Sequence, residues 1–109
     1  MNDDTITEGV TNIFADLGFT DACERQTKTR LAFVLNSIIR QRRLKQTDVA
    51  KLLCVPQPRI SDLKNYRLDE FSVERLLEFL TAFDRDIEIM IRPRSEYAKA
   101  GQIFVHEVR

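Results

Sequence analysis

Side chains that can hydrogen-bond to DNA bases and phosphates are concentrated between residues 46 and 72. The amide of Gln57 can pair in a bidentate way with adenine N6 and N7, and the guanidinium of Arg59 can bind guanine or clamp a phosphate. Asp62 can accept from a cytosine amino group, orient Arg59, or be an ordinary exposed helix residue. The candidate DNA contacts are Gln46, Gln57, Pro58, Arg59, Ser61, Asp62, Lys64, Asn65, Arg67 and Ser72.

Groups for catalysis or metal binding are few. The two cysteines, Cys23 and Cys54, lie in different contexts without a base partner or metal-like spacing, and His106 is the one histidine. No phosphate loop, GxSxG motif or pair of carboxylates accompanies them. We therefore expect no enzyme activity, no metal site, no disulfide and no cofactor.

Charge is segregated along a chain whose 17 basic and 17 acidic residues give a net charge of zero. Residues 1–24 hold six acids and no Lys or Arg, residues 25–67 hold eleven bases and two acids, and residues 68–109 hold six bases and nine acids. Because Coulomb attraction acts through the local field, this basic middle third is typical of a phosphate-binding surface. The alternative, a solvated helix face, usually keeps both signs interspersed.

Length and composition are those of one globular domain. The 109 residues have a mass of 12.7 kDa, with 43% hydrophobic and 31% charged residues, which suits a single domain over residues 1–109. No apolar stretch approaches the roughly 18 residues of a membrane helix, and the N-terminus is acidic where a secretory signal would be basic and then apolar. These features predict a cytoplasmic protein with no membrane partner.

Apolar periodicity predicts a mainly α-helical fold. A repeat at i, i+3, i+4 and i+7 indicates a long helix over residues 21–43, and two short apolar clusters follow within residues 46–65. A further helix is capped by Ser72 and extends to about residue 83. A short helical turn is expected within an N-terminal lead-in of residues 1–20. The helical core therefore spans residues 21–83.

The C-terminal region, residues 84–109, has a different pattern. Within residues 86–92 three isoleucines alternate with other side chains, which predicts a short β-strand, and residues 102–108 are a second possible strand that would complete a hairpin. A lone hairpin is marginal in water, so the face formed by the isoleucines needs a cover. The cover is either the helices of the same chain or a symmetry mate, and pairing in a homodimer would also protect the strand edge. The predicted dimer contacts are Ile87, Ile89 and Ile91.

The segment over residues 46–65, QTDVAKLLCVPQPRISDLKN, has the spacing of a helix-turn-helix. The fifth position must be small because the two helices cross closely there, and it is Ala50. The ninth position, usually glycine, is Cys54, so either the turn differs or it tolerates a strained positive φ. Pro56 and Pro58 suit the first turn of the second helix, which needs no amide donors. The five apolar positions that the motif requires hold Val49, Leu53, Val55, Ile60 and Leu63.

With the runs 44–46, 57–61 and 71–76, these residues make the chain resemble the XRE (phage repressor and Cro-like) helix-turn-helix family over residues 26–83. The lead-in 12–19 and the exit 85–89 are similar to a smaller subgroup, the HigA-type antitoxin regulators. The family resemblance implies a lambda-repressor-like bundle of four to five helices, here with a short C-terminal β-strand or hairpin. It also implies a homodimer on a palindromic operator in double-stranded DNA. The subgroup implies an adjacent ribonuclease-like toxin that the protein neutralises while repressing its own operon.

Three functions remain open at this point. The first is the antitoxin and autorepressor that the subgroup implies. The second is a stand-alone phage-type repressor with no toxin, which would use the same DNA-binding residues. The third is a protein-interaction module that has kept the fold and lost DNA binding, and the basic middle third argues against it.

Overall fold

The structure is a computed structural model that describes residues 21–108, and this part of the chain contains four α-helices and no strand. The helices are α1 (Asp21–Gln41), α2 (Gln46–Leu53), α3 (Gln57–Lys64) and α4 (Val73–Ala82). The prediction of a mainly helical fold is confirmed. The short helix expected within residues 1–20 lies outside the described residues.

The starts of three helices follow from local chemistry. At α4, the Ser72 hydroxyl accepts the backbone N–H of Arg75 at 3.0 Å, which satisfies one of the free amides of the first turn. At α2, the backbone N–H of Lys45 donates to the carboxylate of Asp48 at 3.2 Å. At α3, Pro58 is the second helical residue, where no amide donor is needed.

All four helices are followed by a non-glycine residue with positive φ. The chain has no glycine between residues 19 and 100, so L-residues must adopt the left-handed conformation that reverses the chain direction after each helix. Each such residue costs steric energy because its Cβ approaches the neighbouring carbonyl. The four residues are Arg43 (φ 54°), Cys54 (φ 57°), Tyr66 (φ 58°) and Asp84 (φ 64°).

One apolar core lies between the helices. α1 packs against α4, and α2 packs against α3, which also contacts α1. Each fully buried Leu, Ile or Phe contributes about 1.5–3 kcal/mol through the hydrophobic effect. The buried apolar residues are Leu31, Ala32, Leu35, Ile38, Val49, Leu53, Ile60, Leu63, Leu68, Phe71, Leu76, Phe79, Leu80 and Phe83.

The Arg42 side chain joins the end of α1 to the end of α4. Its Nη2 donates to the carbonyl of Phe83 at 3.1 Å and lies 3.4 Å from a carboxylate oxygen of Asp84. Its guanidinium also lies 5.4 Å from the centroid of the Phe83 ring. Arg42 thereby supplies a hydrogen-bond donor to the backbone carbonyl of Phe83 at the end of α4, while the Phe83 side chain is fully buried.

The predicted C-terminal strand or hairpin is wrong for the described residues, because residues 85–108 form no β-ladder. Two residues of this tail contact the helices instead: the Arg30 guanidinium donates to the Ile103 carbonyl at 3.5 Å, and Val105 packs against the core. Alternation determines which side chains share a face, whereas a strand forms only when a neighbouring chain segment accepts and donates its backbone hydrogen bonds. Residues 86–92 have no such neighbour within residues 21–108.

Candidate nucleic-acid interface

The turn between α2 and α3 has the left-handed geometry of a helix-turn-helix despite its cysteine. Cys54 has φ 57° and ψ 43°, and its backbone N–H donates to the Lys51 carbonyl at 3.4 Å. The next residue, Val55, donates its N–H to the Ala50 carbonyl at 3.0 Å. Of the two expectations for this position, a different turn or a tolerated strain, the structure shows the second.

Replacing this cysteine should therefore relieve the strain. Cys54→Gly is expected to raise the free energy of unfolding by about 0.5–1 kcal/mol, because glycine adopts positive φ without the steric cost that a Cβ imposes. Cys54 is exposed, so little packing is lost. Urea denaturation measures the change. The control is Cys54→Ala, which removes the thiol but keeps the Cβ, and an equal gain from alanine would show that the backbone strain is not the cause.

Two glutamine side chains meet where α2 and α3 begin. Gln57 Nε2 donates a hydrogen bond to Gln46 Oε1. Gln46 is half-buried at the start of α2, and Gln57 is exposed at the start of α3. The bond engages one of the two N–H groups of Gln57 and leaves the other N–H and Oε1 available. These two groups are the ones that bidentate pairing with adenine requires.

The two arginines near α3 each have a carboxylate partner. Arg59 Nη1 lies 3.8 Å from Glu70 Oε2, and Arg67 Nη1 lies 3.9 Å from Asp62 Oδ1. Of the alternatives for Asp62, the one in which it orients Arg59 is wrong, because Glu70, from the loop before α4, is the residue paired with Arg59. The side chains of Arg59 and Arg67 are 42% and 73% exposed, so a phosphate or a base can compete for them.

The sequence over residues 13–92 matches the model of a family described as a helix-turn-helix domain. The chain belongs to the helix-turn-helix family. A solved structure assigned to the XRE family of transcriptional regulators is 47% identical to it, with a TM-score of 0.77, and the match covers 82% of this chain and 100% of that chain. A search of curated proteins found no significant match. The two matches support a DNA-binding transcriptional regulator, a class that is typically non-enzymatic.

Other predicted contacts of this helix-turn-helix domain take part in local hydrogen bonds. Asn65 Nδ2 donates to the carbonyl of Ser61 at 2.9 Å, at the end of α3, and Ser61 itself is half-buried. The Ser72 hydroxyl is engaged in the cap of α4. Lys64 is exposed in the last turn of α3. The DNA contacts assigned to these residues stay predictions.

Two exposed cations of the domain were not among the predicted contacts. Arg43 and Lys45 lie in the turn before α2, directly ahead of Gln46. Within residues 21–108 neither has a salt-bridge partner, so both suit phosphates near the start of α2. Both cations belong to the excess of bases over residues 25–67, which is the sequence signal that could have found them. That signal does not distinguish unpaired cations from paired ones such as Arg59.

The described residues offer little for other chemistry. Cys23 and Cys54 form no disulfide, and residues 21–108 hold no group of three His, Cys, Asp or Glu side chains that could bind a metal. His106 stacks on Phe104 in the tail, with 6.2 Å between ring centroids. None of the four helices is long and apolar enough to cross a membrane.

Proposed function

We propose that this helix-turn-helix protein recognises a short inverted repeat in double-stranded DNA as a homodimer, with α3 in the major groove. The observation that carries the proposal is the Gln46–Gln57 hydrogen bond, which holds an adenine-pairing amide at the exposed start of α3. Exposed cations on both sides of this pair, in the turn before α2 and at the end of α3, favour phosphate contacts that would orient the helix.

DNA binding should depend strongly on salt and on Gln57. Each phosphate contact that displaces counterions adds about 0.9 to the slope of log affinity against log salt, so several contacts predict a steep loss between roughly 50 and 200 mM salt. Gln57→Ala should cost about 1–3 kcal/mol on a site that the wild type selects from a random duplex library, and little on random duplex DNA.

Fluorescence anisotropy measures both affinities. The matched control is Gln26→Ala, which removes the same amide from an exposed position near the start of α1. Equal losses on selected and random DNA would move Gln57 to the phosphate-contacting class. Absence of any duplex binding by the wild type would favour the interaction module that has lost DNA binding.

The homodimer in this proposal forms through residues 86–92. The isoleucines of this segment are outside the buried core of the described chain, with exposed fractions of 37% for Ile87, 77% for Ile89 and 94% for Ile91. A segment with alternating isoleucines and unpaired backbone groups is suited to antiparallel pairing with its own copy across a two-fold axis. Pairing would supply the backbone hydrogen bonds that residues 86–92 lack within the described chain.

The biological role that we propose is that of an antitoxin repressing its own operon. The support is the resemblance of the segments 12–19 and 85–89 to HigA-type regulators. The test is expression of the adjacent reading frame with and without this protein. Growth arrest that this protein relieves supports the antitoxin role, and a harmless neighbour supports the stand-alone phage-type repressor.

A further inference from the structure

Glu70 is an acidic group paired with the start of α3, although it lies outside that helix. Its Oε2 is 3.8 Å from Nη1 of Arg59, the third residue of α3. Arg59 is 11 residues earlier in the chain, so neither helical periodicity nor sequence proximity produces the contact. The two side chains are 42% and 69% exposed, so both remain accessible to a DNA duplex.

The backbone around Glu70 is fixed by buried neighbours. Leu68 and Phe71, on either side of it, are 7% and 4% exposed, and the N–H of Phe71 donates to the carbonyl of Leu68 at 3.0 Å. The Phe71 ring also packs edge-on against Phe79, with 6.0 Å between centroids. The loop therefore fixes the backbone of Glu70 at a place from which its carboxylate reaches Arg59.

We infer that Glu70 is a specificity-determining residue that suppresses binding to non-cognate DNA. This inference rests on the proposed function. Non-specific binding depends on phosphate contacts alone, and an arginine already paired with a carboxylate contributes less to them. At a cognate site, the other guanidinium N–H groups of Arg59 bind a base while Nη1 stays beside Glu70, so the pair is kept there. Glu70 therefore weakens non-cognate binding more than cognate binding, which widens the difference between the two.

The test is Glu70→Gln in the full chain, with a 20-base-pair duplex of random sequence as the non-cognate probe. The variant should bind this probe about 3- to 10-fold more tightly near 50 mM salt, with a salt slope steeper by about 0.9, as expected for one additional phosphate contact. Affinity for a site selected by the wild type from a random library should change less than about 2-fold, since Arg59 binds that site without leaving its partner. The ratio of the affinity for the selected site to the affinity for random duplex DNA should therefore fall.

Glu78→Gln is the matched control, because Glu78 makes an equivalent exposed salt bridge to Arg75, at 3.1 Å, on α4. It removes the same charge and should leave both affinities unchanged. A second control places Glu70→Gln in an Arg59→Gln background, where the gain in non-cognate affinity should vanish.

The inference is overturned by any of three results: unchanged non-cognate binding by Glu70→Gln, an equal gain from Glu78→Gln, or a gain that persists without Arg59. In each case the wild type still binds duplex DNA, so the proposed function stands. A wild type that binds no duplex at all would instead refute the proposed function. Circular dichroism melts of all variants confirm that folded proteins are compared.

Discussion

Ile89→Lys is expected to leave a folded monomer that binds its selected DNA site about 10²–10⁴-fold more weakly than the wild type. One helix-turn-helix unit contacts one half-site, and the two half-sites lie roughly 34 Å apart. A dimer makes the second contact intramolecular, and that gain is lost when the subunits separate. A lysine at the centre of the isoleucine face would place a charge in the paired interface. Because Ile89 is 77% exposed in the described chain, the helical core should be undisturbed.

Mass by light scattering, folding by circular dichroism and affinity by anisotropy together test this prediction. The control is Met90→Lys, which adds the same charge at a residue that is also 77% exposed but falls between the isoleucines in the alternating pattern, outside the proposed isoleucine face. Met90→Lys should remain dimeric and bind DNA. A folded Ile89→Lys dimer that still binds its site would exclude the interface over residues 86–92.

Phe83→Ala is expected to lower the free energy of unfolding by about 3–5 kcal/mol. This loss is a large part of the whole free energy of unfolding of a domain of this size. The Phe83 side chain is fully buried where the end of α4 meets α1. Truncation would leave a cavity in the core, and the Arg42 guanidinium would lose the aromatic face over which it lies. Urea denaturation measures the loss, and the variant should also show weaker DNA binding at 37 °C because less of it is folded.

Phe33→Ala provides the matched control for this truncation. Phe33 is on α1 and is 60% exposed, so the same change of side chain creates no cavity and should alter stability by less than about 0.5 kcal/mol. A small effect at Phe83 would contradict the burial of its ring. A large effect at Phe33 would show that its exposed ring packs against another part of the protein.

The helices and the core follow from the sequence because their signals are local. The apolar positions that a helix-turn-helix requires are the buried or half-buried ones, with Val49, Ile60 and Leu63 almost fully enclosed. Ser72 caps α4 as predicted, because a hydroxyl at that position satisfies amides only two or three residues away. The candidate base-contacting residue, Gln57, could likewise be placed from the motif spacing alone. The hydrogen bond from its side chain to Gln46, in contrast, is visible only in the structure.

Only the tertiary structure decided which charges are paired and what the C-terminal region does. Asp62 is in the helix that carries Arg59, yet it pairs with Arg67, and the partner of Arg59 is Glu70. Salt bridges depend on how loops return to the helices, and no local pattern encodes that path. The alternating isoleucines predict a strand that the described residues do not form. The reason is that periodicity is a property of one segment, whereas a β-ladder needs a second segment at hydrogen-bonding distance.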